Sequence, residues 1–223
     1  MNERVIALVP AFNEAARIVA VVTGARAFVN EVVVIDDGSA DTTSDVARAA
    51  GATILRHETN RGKGGAIKTG LDYLAQSGAD MAVLLDADGQ HDPAEIPKFI
   101  EEAKRSGAGI VVGSRMSDTR AMPVVRKFTN QFTSWLTSRL ARQRVHDSQC
   151  GYRLVHRRVL GDLNFSTARF ETETEMLIQA GRAGHTISEV PVRTIYGQEV
   201  RASHIRPLRD TIRFFKLAKK YWP

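Results

Sequence analysis

Two carboxylates, Asp86 and Asp88, stand one residue apart where a short apolar run, residues 81–85, gives way to Gly89 and Gln90. A run of that length with polar bounds suits a strand buried on both faces of a parallel sheet. Ligands of open α/β sheets bind at the C-terminal strand ends, and Gly89 lets the backbone turn so that both carboxylates face one crevice. Paired carboxylates on so short a spacer suit a hard divalent cation that keeps waters and takes its other ligands from a substrate diphosphate. Gln90 adds a neutral oxygen. An isolated Asp-x-Asp is more often a capped, solvated turn, so the assignment depends on what the chain brings beside it.

Strand and helix alternate through the first half. A buried run at 4–9 ends in PAFNE, residues 10–14, and apolar positions Ile18, Val21, Val22, Ala25 and Val29 then recur at helical spacing. A β-branched run at 31–35 closes with Asp36, Asp37, Gly38 and Ser39, followed by a helix over about 42–50 and a strand at 53–55. The segment NRGKGGA, residues 60–66, opens a helix with Ile67, Leu71 and Leu74 on one face. After the acidic pair comes a helix carrying Ile96, Phe99, Ile100 and Ala103, then a strand at 109–112 ending in Gly113, Ser114 and Arg115. This order predicts an α/β fold, a Rossmann-like, mostly parallel sheet flanked by helices. Its parallel order delivers PAFNE, DDGS, DADGQ and GSR to one edge, as a nucleotide site requires. NRGKGG lacks the spacing of a P-loop, and no GxGxxG follows the first strand, so dinucleotide binding has no support.

Composition narrows the class. The 223 residues suffice for a well-buried core, and the charged fraction of 25% is that of a globular protein. One cysteine, Cys150, excludes an internal disulfide and disfavours a structural zinc cluster. No apolar stretch approaches the roughly 20 residues of a membrane span. The opening VIALVPAF is interrupted by Pro10 and Asn13, which reads as a strand rather than a leader and predicts a cytoplasmic protein. Residues 201–223 hold seven Lys and Arg against Asp210, an excess equal to the whole formal net charge of +6. That tail calls for an anionic partner.

The second half carries less regular signals. Residues 124–140 place Val124, Phe128, Phe132, Leu136 and Leu140 on one helical row, joined by Val125 and Trp135, with Arg126 and Lys127 at the start and Arg139, Arg142 and Arg144 at the end. Packing on the domain core is the usual fate of such a stripe; the aromatics and cations also suit a bilayer interface. DSQCGYR, residues 147–153, is polar and turn-like, and Asp147 is placed to position an acceptor or its arginines, or to close an Asx turn. A helix over 170–180 holds Glu171, Glu173 and Glu175, and a strand at 186–195 follows. From 207 to 222 a helix combines Leu208, Ile212, Phe215 and Trp222, widened by Phe214, Leu217 and Tyr221, with a basic stripe of Arg209, Arg213, Lys216 and Lys220. Such a helix lies on an anionic membrane, or docks on the enzyme or a second subunit.

PAFNE, DDGS, NRGKGGA, DADGQ and GSR, in this order, resemble the motif set of inverting family 2 glycosyltransferases of the GT-A fold. The likeness runs from about residue 4 to residue 210 and is greatest to polyprenyl-phosphate sugar synthases, such as dolichyl-phosphate mannose and glucose synthases. DSQCGYR is similar to their D-x-x-x-G-[FY]-[RK] segment, its Ser-Gln-Cys core leaning toward the glucosyl branch. The resemblance implies that Pro10, Phe12, Glu14, Ile35 and Asp37 hold the nucleotide. It implies that Lys63, Asp86, Ala87, Arg115, Arg193 and Arg201 serve the donor and its diphosphate. Mg²⁺ or Mn²⁺ would be held by Asp88, with Asp86 and Gln90, and Glu175 matches an acid near the sugar.

The expected reaction moves a hexose from GDP-mannose or UDP-glucose to a polyprenyl phosphate. That acceptor is already anionic and needs no strong base, and Arg126 and Arg153 are candidates to hold it. A sugar hydroxyl of a polysaccharide or glycolipid would need its proton removed, with Asp147 the expected base. A sugar nucleotidyltransferase would carry a glycine-rich loop after the first strand, where this chain has PAFNE. The expected organisation is one domain over 1–223, with a nucleotide-sugar half at 1–115, an acceptor half at 116–206 and a basic amphipathic helix at 207–223. Expected partners are the donor, the lipid phosphate, the cytoplasmic face of a membrane bound peripherally, and a membrane-protein partner or second copy. Nucleic acid is not expected, since no recognised binding motif accompanies the basic tail.

Overall fold

A computed structural model describes residues 3–116, 124–193, 195 and 207–222, with the side chains of 124–126 and 207–210 outside the described set. Seven strands form one sheet: β1 (Val5–Ala11), β2 (Glu31–Asp36), β3 (Thr53–Arg56), β4 (Met81–Leu84), β5 (Ile110–Ser114), β6 (Arg153–His156) and β7 (Ile187–Pro191). The order is β3-β2-β1-β4-β6-β5-β7. Strand β1 lies between β2 and β4 and runs parallel to both, with Ala11 opposite Asp36 and Leu8 opposite Leu84. The chain therefore reverses its direction of travel across the sheet at β1, which opens a crevice between the ends of β1 and β4.

The sheet is mixed through β6, which runs antiparallel to both β4 and β5 and separates them. Four residues, RLVH, are too few to show a strand period, and the sequence reading stopped at Arg153, the residue that opens this strand. Both β6 and β7 come from the expected acceptor half, yet they complete the sheet begun by the first half.

The first helices sit close on that sheet. Helix α1 (Ile18–Arg26) starts after Glu14 and ends before Val29, because residues on either side are used in loops. Helices α2 (Thr43–Ala49), α3 (Lys63–Gln76) and α4 (Ile96–Ser106) follow β2, β3 and a one-turn 3₁₀ helix at Pro93–Glu95. Gly70 brings α3 onto the strands: a Cβ there would stand 3.1 Å from Leu8 and 3.2 Å from Ile35. Helix α4 ends at Gly107, whose φ of 64° gives the left-handed cap common at helix ends.

A second layer is built from α5 (Val124–Ala141), α6 (Glu171–Arg182) and α7 (Pro207–Tyr221). Leu136, Leu140, Ile178, Leu217 and Ala218 form its core, with Phe214 and Tyr221 packed against it. The single row expected on α5 thus divides: Leu136 and Leu140 are buried, whereas Phe128, Phe132 and Trp135 are exposed. The α7 stripe divides too. Leu217 and Ala218 dock while Ile212, Phe215 and Trp222 face outward; the side chains of Leu208 and Arg209 lie outside the described residues. Polar ties lock the docked end, since the Tyr221 hydroxyl donates to Glu175 at 3.0 Å and the Lys220 ammonium to the same carboxylate at 3.2 Å.

Gly181 is the contact point of α5 and α6. A Cβ there would sit 2.3 Å from the Ala141 carbonyl oxygen, a backbone atom that cannot swing aside. Gly181→Ala is expected to destabilise by about 1–3 kcal/mol despite its better helix propensity, lowering Tm by several degrees in a thermal melt. An unchanged or raised Tm would show that the two helices are not in contact there.

Candidate active site

The loops after β1 and β2 bind each other before they bind anything else. Asn13, with φ 56°, donates its backbone N–H to the Ser39 hydroxyl and accepts from the Ala40 N–H. The Glu14 N–H donates to the Thr43 hydroxyl at 2.9 Å. Asp36 is fully buried and accepts from the Ser39 N–H and the Ser44 hydroxyl. Asp37 accepts the N–H groups of Arg61 and Gly62, each at 2.8 Å, and bonds His57 Nδ1 at 2.7 Å. Its carboxylate therefore holds the glycine-rich loop against β2. Ile35, expected at the base, has its side chain fully buried against α3. Pro10, Phe12 and Glu14 remain part-exposed at the crevice, where Glu14 pairs with Arg17 at 3.4 Å.

The end of β4 is a compact charge cluster. Lys63, at the start of α3, reaches Asp86 Oδ1 at 2.6 Å and Glu173 Oε1, from α6, at 3.3 Å. Burial opposes the lysine's charge, but the two carboxylates prevail and raise its pKa. Asp86 is likewise disfavoured by burial, yet its cationic neighbours, Lys63 first and Arg115 behind it, hold its carboxyl down to about 2. Asp88 shifts the other way: burial and the charge of Asp86 push its pKa up, outweighing the pull of the Gln90 N–H and of Lys63. One Asp88 oxygen accepts the Gln90 N–H at 2.9 Å, across the turn that Gly89 makes with φ 75°. Ala87 is buried between the two acids, and Gln90 is exposed.

His91 completes the floor. It accepts the Asp86 N–H through Nδ1 at 3.1 Å, which fixes the tautomer, and burial lowers its pKa so that it is neutral. Its ring stacks on Tyr152 at 4.8 Å, and Tyr152 in turn meets Phe99. Gly151 admits the cluster to this turn: a Cβ there would stand 2.8 Å from Asp86 Oδ2 and 2.9 Å from the Lys63 ammonium.

Arg115 grips Asp147 with its fork. Nε and Nη2 each donate at 2.8 Å to the two carboxylate oxygens, and Asn130 adds a third donor at 2.7 Å. Asp147 is fully buried; burial raises its pKa, but Arg115 and Asn130 more than offset this and lower it. Its backbone N–H is held by Glu189 of β7. An acid so enclosed holds Arg115, in keeping with the expectation that Asp147 positions an arginine. Arg153 is corrected: it is fully buried and donates to the carbonyls of Cys150, Ser148 and Glu173, so no donor is turned to an acceptor phosphate. Glu175, fully buried, accepts from Ser166, Thr167, Lys220 and Tyr221, and so ties a loop and α7 to α6 rather than facing a sugar. Arg193 stands exposed after β7, its N–H donating to Glu95 at 3.2 Å. Arg201 and the Arg126 side chain lie outside the described residues.

Sequence reasoning missed His91, Glu173, Asn130 and Gly151. His91 carried a signal in its place directly after DADGQ, and Gly151 in being the glycine of the DSQCGYR segment. Among the described residues no group of three or more His, Cys, Asp or Glu is gathered to cage a metal. Hard oxygens from Asp88 and Asp86 alone fit a cation that draws its remaining ligands from diphosphate and water.

Comparison with known proteins gives a consistent picture. The model of the family described as glycosyl transferase family 2 matches residues 6–163. UDP-N-acetylglucosamine–dolichyl-phosphate N-acetylglucosaminyltransferase of Methanococcus voltae is 34% identical, over 85% of this chain and 84% of that protein. Undecaprenyl-phosphate mannosyltransferase of Micrococcus luteus is 29% identical, over 85% of this chain and 82% of its own. Among solved structures, glucosyl-3-phosphoglycerate synthase of Mycobacterium tuberculosis superposes with a TM-score of 0.74 at 23% identity, covering 99% of this chain and 80% of that one. At that identity the likeness establishes the GT-A fold.

Two outcomes follow from the cluster and the fork. Gly151→Ala should part Lys63 from Asp86 and lower turnover at least about tenfold while circular dichroism is unchanged; full turnover would mean that the cluster has no part in the reaction. Asp147→Asn breaks a buried pair, so at pH 7 Tm should fall by roughly 10 °C. Because the folded pKa of Asp147 is depressed, its contribution is present above the ordinary value of 3.8 and is lost as pH falls through the lower folded value. Melts of wild type and Asp147→Asn should therefore converge only below pH 3.8; convergence by about pH 5 would contradict the pairing.

Proposed function

Because the chain belongs to glycosyl transferase family 2 and is a glycosyltransferase, we propose that it moves a sugar from a nucleotide diphosphate sugar to a polyprenyl phosphate. The observation that carries this reading is the alternation of charge at the end of β4, where Asp86 and Asp88 lie beside Lys63 and close to Arg115. Two acids with cations at their flanks suit a diphosphate that arrives with a divalent ion. Two relatives bear names with dolichyl phosphate and undecaprenyl phosphate as acceptors, which supports the lipid phosphate.

Each residue then has a task. Pro10, Phe12 and Glu14 border the space for the nucleoside. Asp88, with Asp86 and Gln90, would hold Mg²⁺ or Mn²⁺, which when bound supplies positive charge to the leaving diphosphate; the Mycobacterium tuberculosis neighbour was crystallised with Mn²⁺ and UDP. Lys63 fixes the direction of Asp86, and Arg115, aimed by Asp147, adds a guanidinium near the same phosphates. Arg193 and Arg201 would close over them. Arg126, at the start of α5, is the candidate for the acceptor.

An oxygen of the acceptor phosphate forms the new bond to the anomeric carbon as the bond to the donor's phosphate oxygen breaks. The nucleoside diphosphate leaves with the electron pair, and a single displacement inverts the centre. No proton has to move. This matters because the acid expected to serve a hydroxyl acceptor, Asp147, is buried and occupied by Arg115. The occupied Asp147 thus favours the lipid-phosphate reading over a hydroxyl acceptor, and family membership replaces the nucleotidyltransferase reading.

The donor is proposed as a hexose on UDP or GDP, UDP-glucose and GDP-mannose being the first to try, with UDP-N-acetylglucosamine beside them. Protein, Mg²⁺ or Mn²⁺ and a short-chain polyprenyl phosphate should yield a glycosyl phosphate lipid and free nucleoside diphosphate with one of these donors. Transfer to a sugar hydroxyl but never to the lipid phosphate would reject the reading. Asp88→Ala should remain folded and lose at least about a hundredfold in metal-dependent turnover; wild-type turnover in that variant would remove Asp88 from the site.

A further inference from the structure

Helix α5 buries a polar row beside Leu136 and Leu140 and presents aromatic rings outward. Its buried face carries Asn130, Thr133, Ser134 and Thr137, whose side chains bond to one another, to Ser148 or to the preceding turn. Its outward row is Phe128, Phe132 and Trp135, with exposures of 67%, 49% and 60%, and it continues to the exposed Arg139. Helix α7 extends the row sideways. The Phe132 ring stands 6.1 Å from Trp135 and 6.3 Å from Phe215, which is 48% exposed. Trp222, 58% exposed, lies at the end of α7, so both tryptophans of the chain face outward on this pair of helices. Single exposed apolar residues are ordinary, but a run of touching aromatic rings marks a surface that meets something.

Charge selects the occupant. Helix α5 contains no Asp or Glu, and Arg139, Lys216 and Lys219 are exposed on the two helices. A second copy docked by a two-fold axis would set these like charges against each other. An anionic bilayer complements them, and its boundary between headgroups and acyl chains is where Trp and Phe beside Lys and Arg are most favourably placed. No helix of the described residues is long and apolar enough to cross that bilayer, so contact through this face would be lateral.

We propose that the aromatic ridge of α5 and α7 is the surface by which the protein lies on an anionic lipid bilayer, with Trp135 and Trp222 both at the boundary. The ridge gives the lipid-phosphate reading its geometry and rests on it for purpose, but its test does not depend on turnover. Trp222→Phe leaves Trp135 as the lone indole, and Trp135→Phe leaves Trp222. In the full chain, both should shift to the blue and be quenched by brominated acyl chains on adding phosphatidylcholine–phosphatidylglycerol vesicles. Binding should weaken at least about tenfold in high salt. Phe132→Ser with Phe215→Ser should lower vesicle partition at least about tenfold without lowering Tm.

Co-sedimentation with Trp135 unquenched would overturn the proposal, since the bilayer would then meet another face. A blue shift of Trp135 without vesicles, growing with protein concentration alongside a dimer in sedimentation velocity, would overturn it in favour of a second copy. Absence of binding to anionic vesicles would overturn it outright. Quenching of both indoles without transfer to any lipid phosphate would uphold the surface and reject the acceptor.

Discussion

The contact between Lys63 and Asp86 holds the catalytic edge together. It joins the glycine-rich loop at the head of α3 to the end of β4, and through Glu173 it draws in α6 from the second layer. Three segments distant in sequence thus meet on one ammonium group. Desolvating those charges is costly, and a buried pair is weak evidence of stability for its own sake. What it secures is direction. Asp86 stays ionised well below neutral pH, its carboxylate fixed by lysine and its backbone N–H by His91, while burial and the charge of Asp86 raise the pKa of Asp88 beside it.

The same logic recurs one layer out, where polar groups that look functional by type act on the backbone instead. Arg153 braces the turn before β6 by donating to three carbonyls. Asp37 anchors the glycine-rich loop, Asp147 aims Arg115, and Glu175 clamps α7. Each leaves few unsatisfied donors in a region that irregular loops would otherwise fill with them. The consequence is a rigid rim around the crevice, assembled from PAFNE, DDGS and the 148–152 turn, with Gly151 the one residue small enough to let the ion cluster touch that rim.

How much of this was legible in sequence follows from the physics of each signal. Buried parallel strands read as short apolar runs, so β1, β2, β4 and β5 were found within a residue or two, and their polar ends with them. Strand β6 was not, because four residues beside a turn have no period to display. Helical spacing placed Glu171, Glu173 and Glu175 near one another but carried no sign of which approached Lys63; the two-residue step from Glu175 to Glu173 turns the side chain from α7 toward the donor edge. Arg153 was read as a phosphate ligand because charge in a loop usually meets solvent or substrate, whereas its carbonyl partners exist only after folding. On α5, periodicity put Phe128, Phe132, Leu136 and Leu140 on one row, but the leucines face the second-layer core and the phenylalanines face outward.

That division leaves an aromatic surface on the helices that follow two strands of the site. Strands β5 and β7 run parallel with Ser114 opposite Pro191, so Arg115 and Arg193 follow at the same edge of the sheet, and α5 is the next helix after β5 as α7 is after β7. An acceptor phosphate on a polyprenyl chain is confined to the plane of its membrane, so a soluble site would meet it only by chance orientation. A helix pair lying on the bilayer through its outward aromatic rings, as proposed, would restrict that search to rotations within the plane, and the cations flanking the rings would raise the local concentration of any anionic headgroup. Phenylalanines left outside forgo burial against the domain, a cost that contact with a second apolar phase, as proposed for this face, would offset.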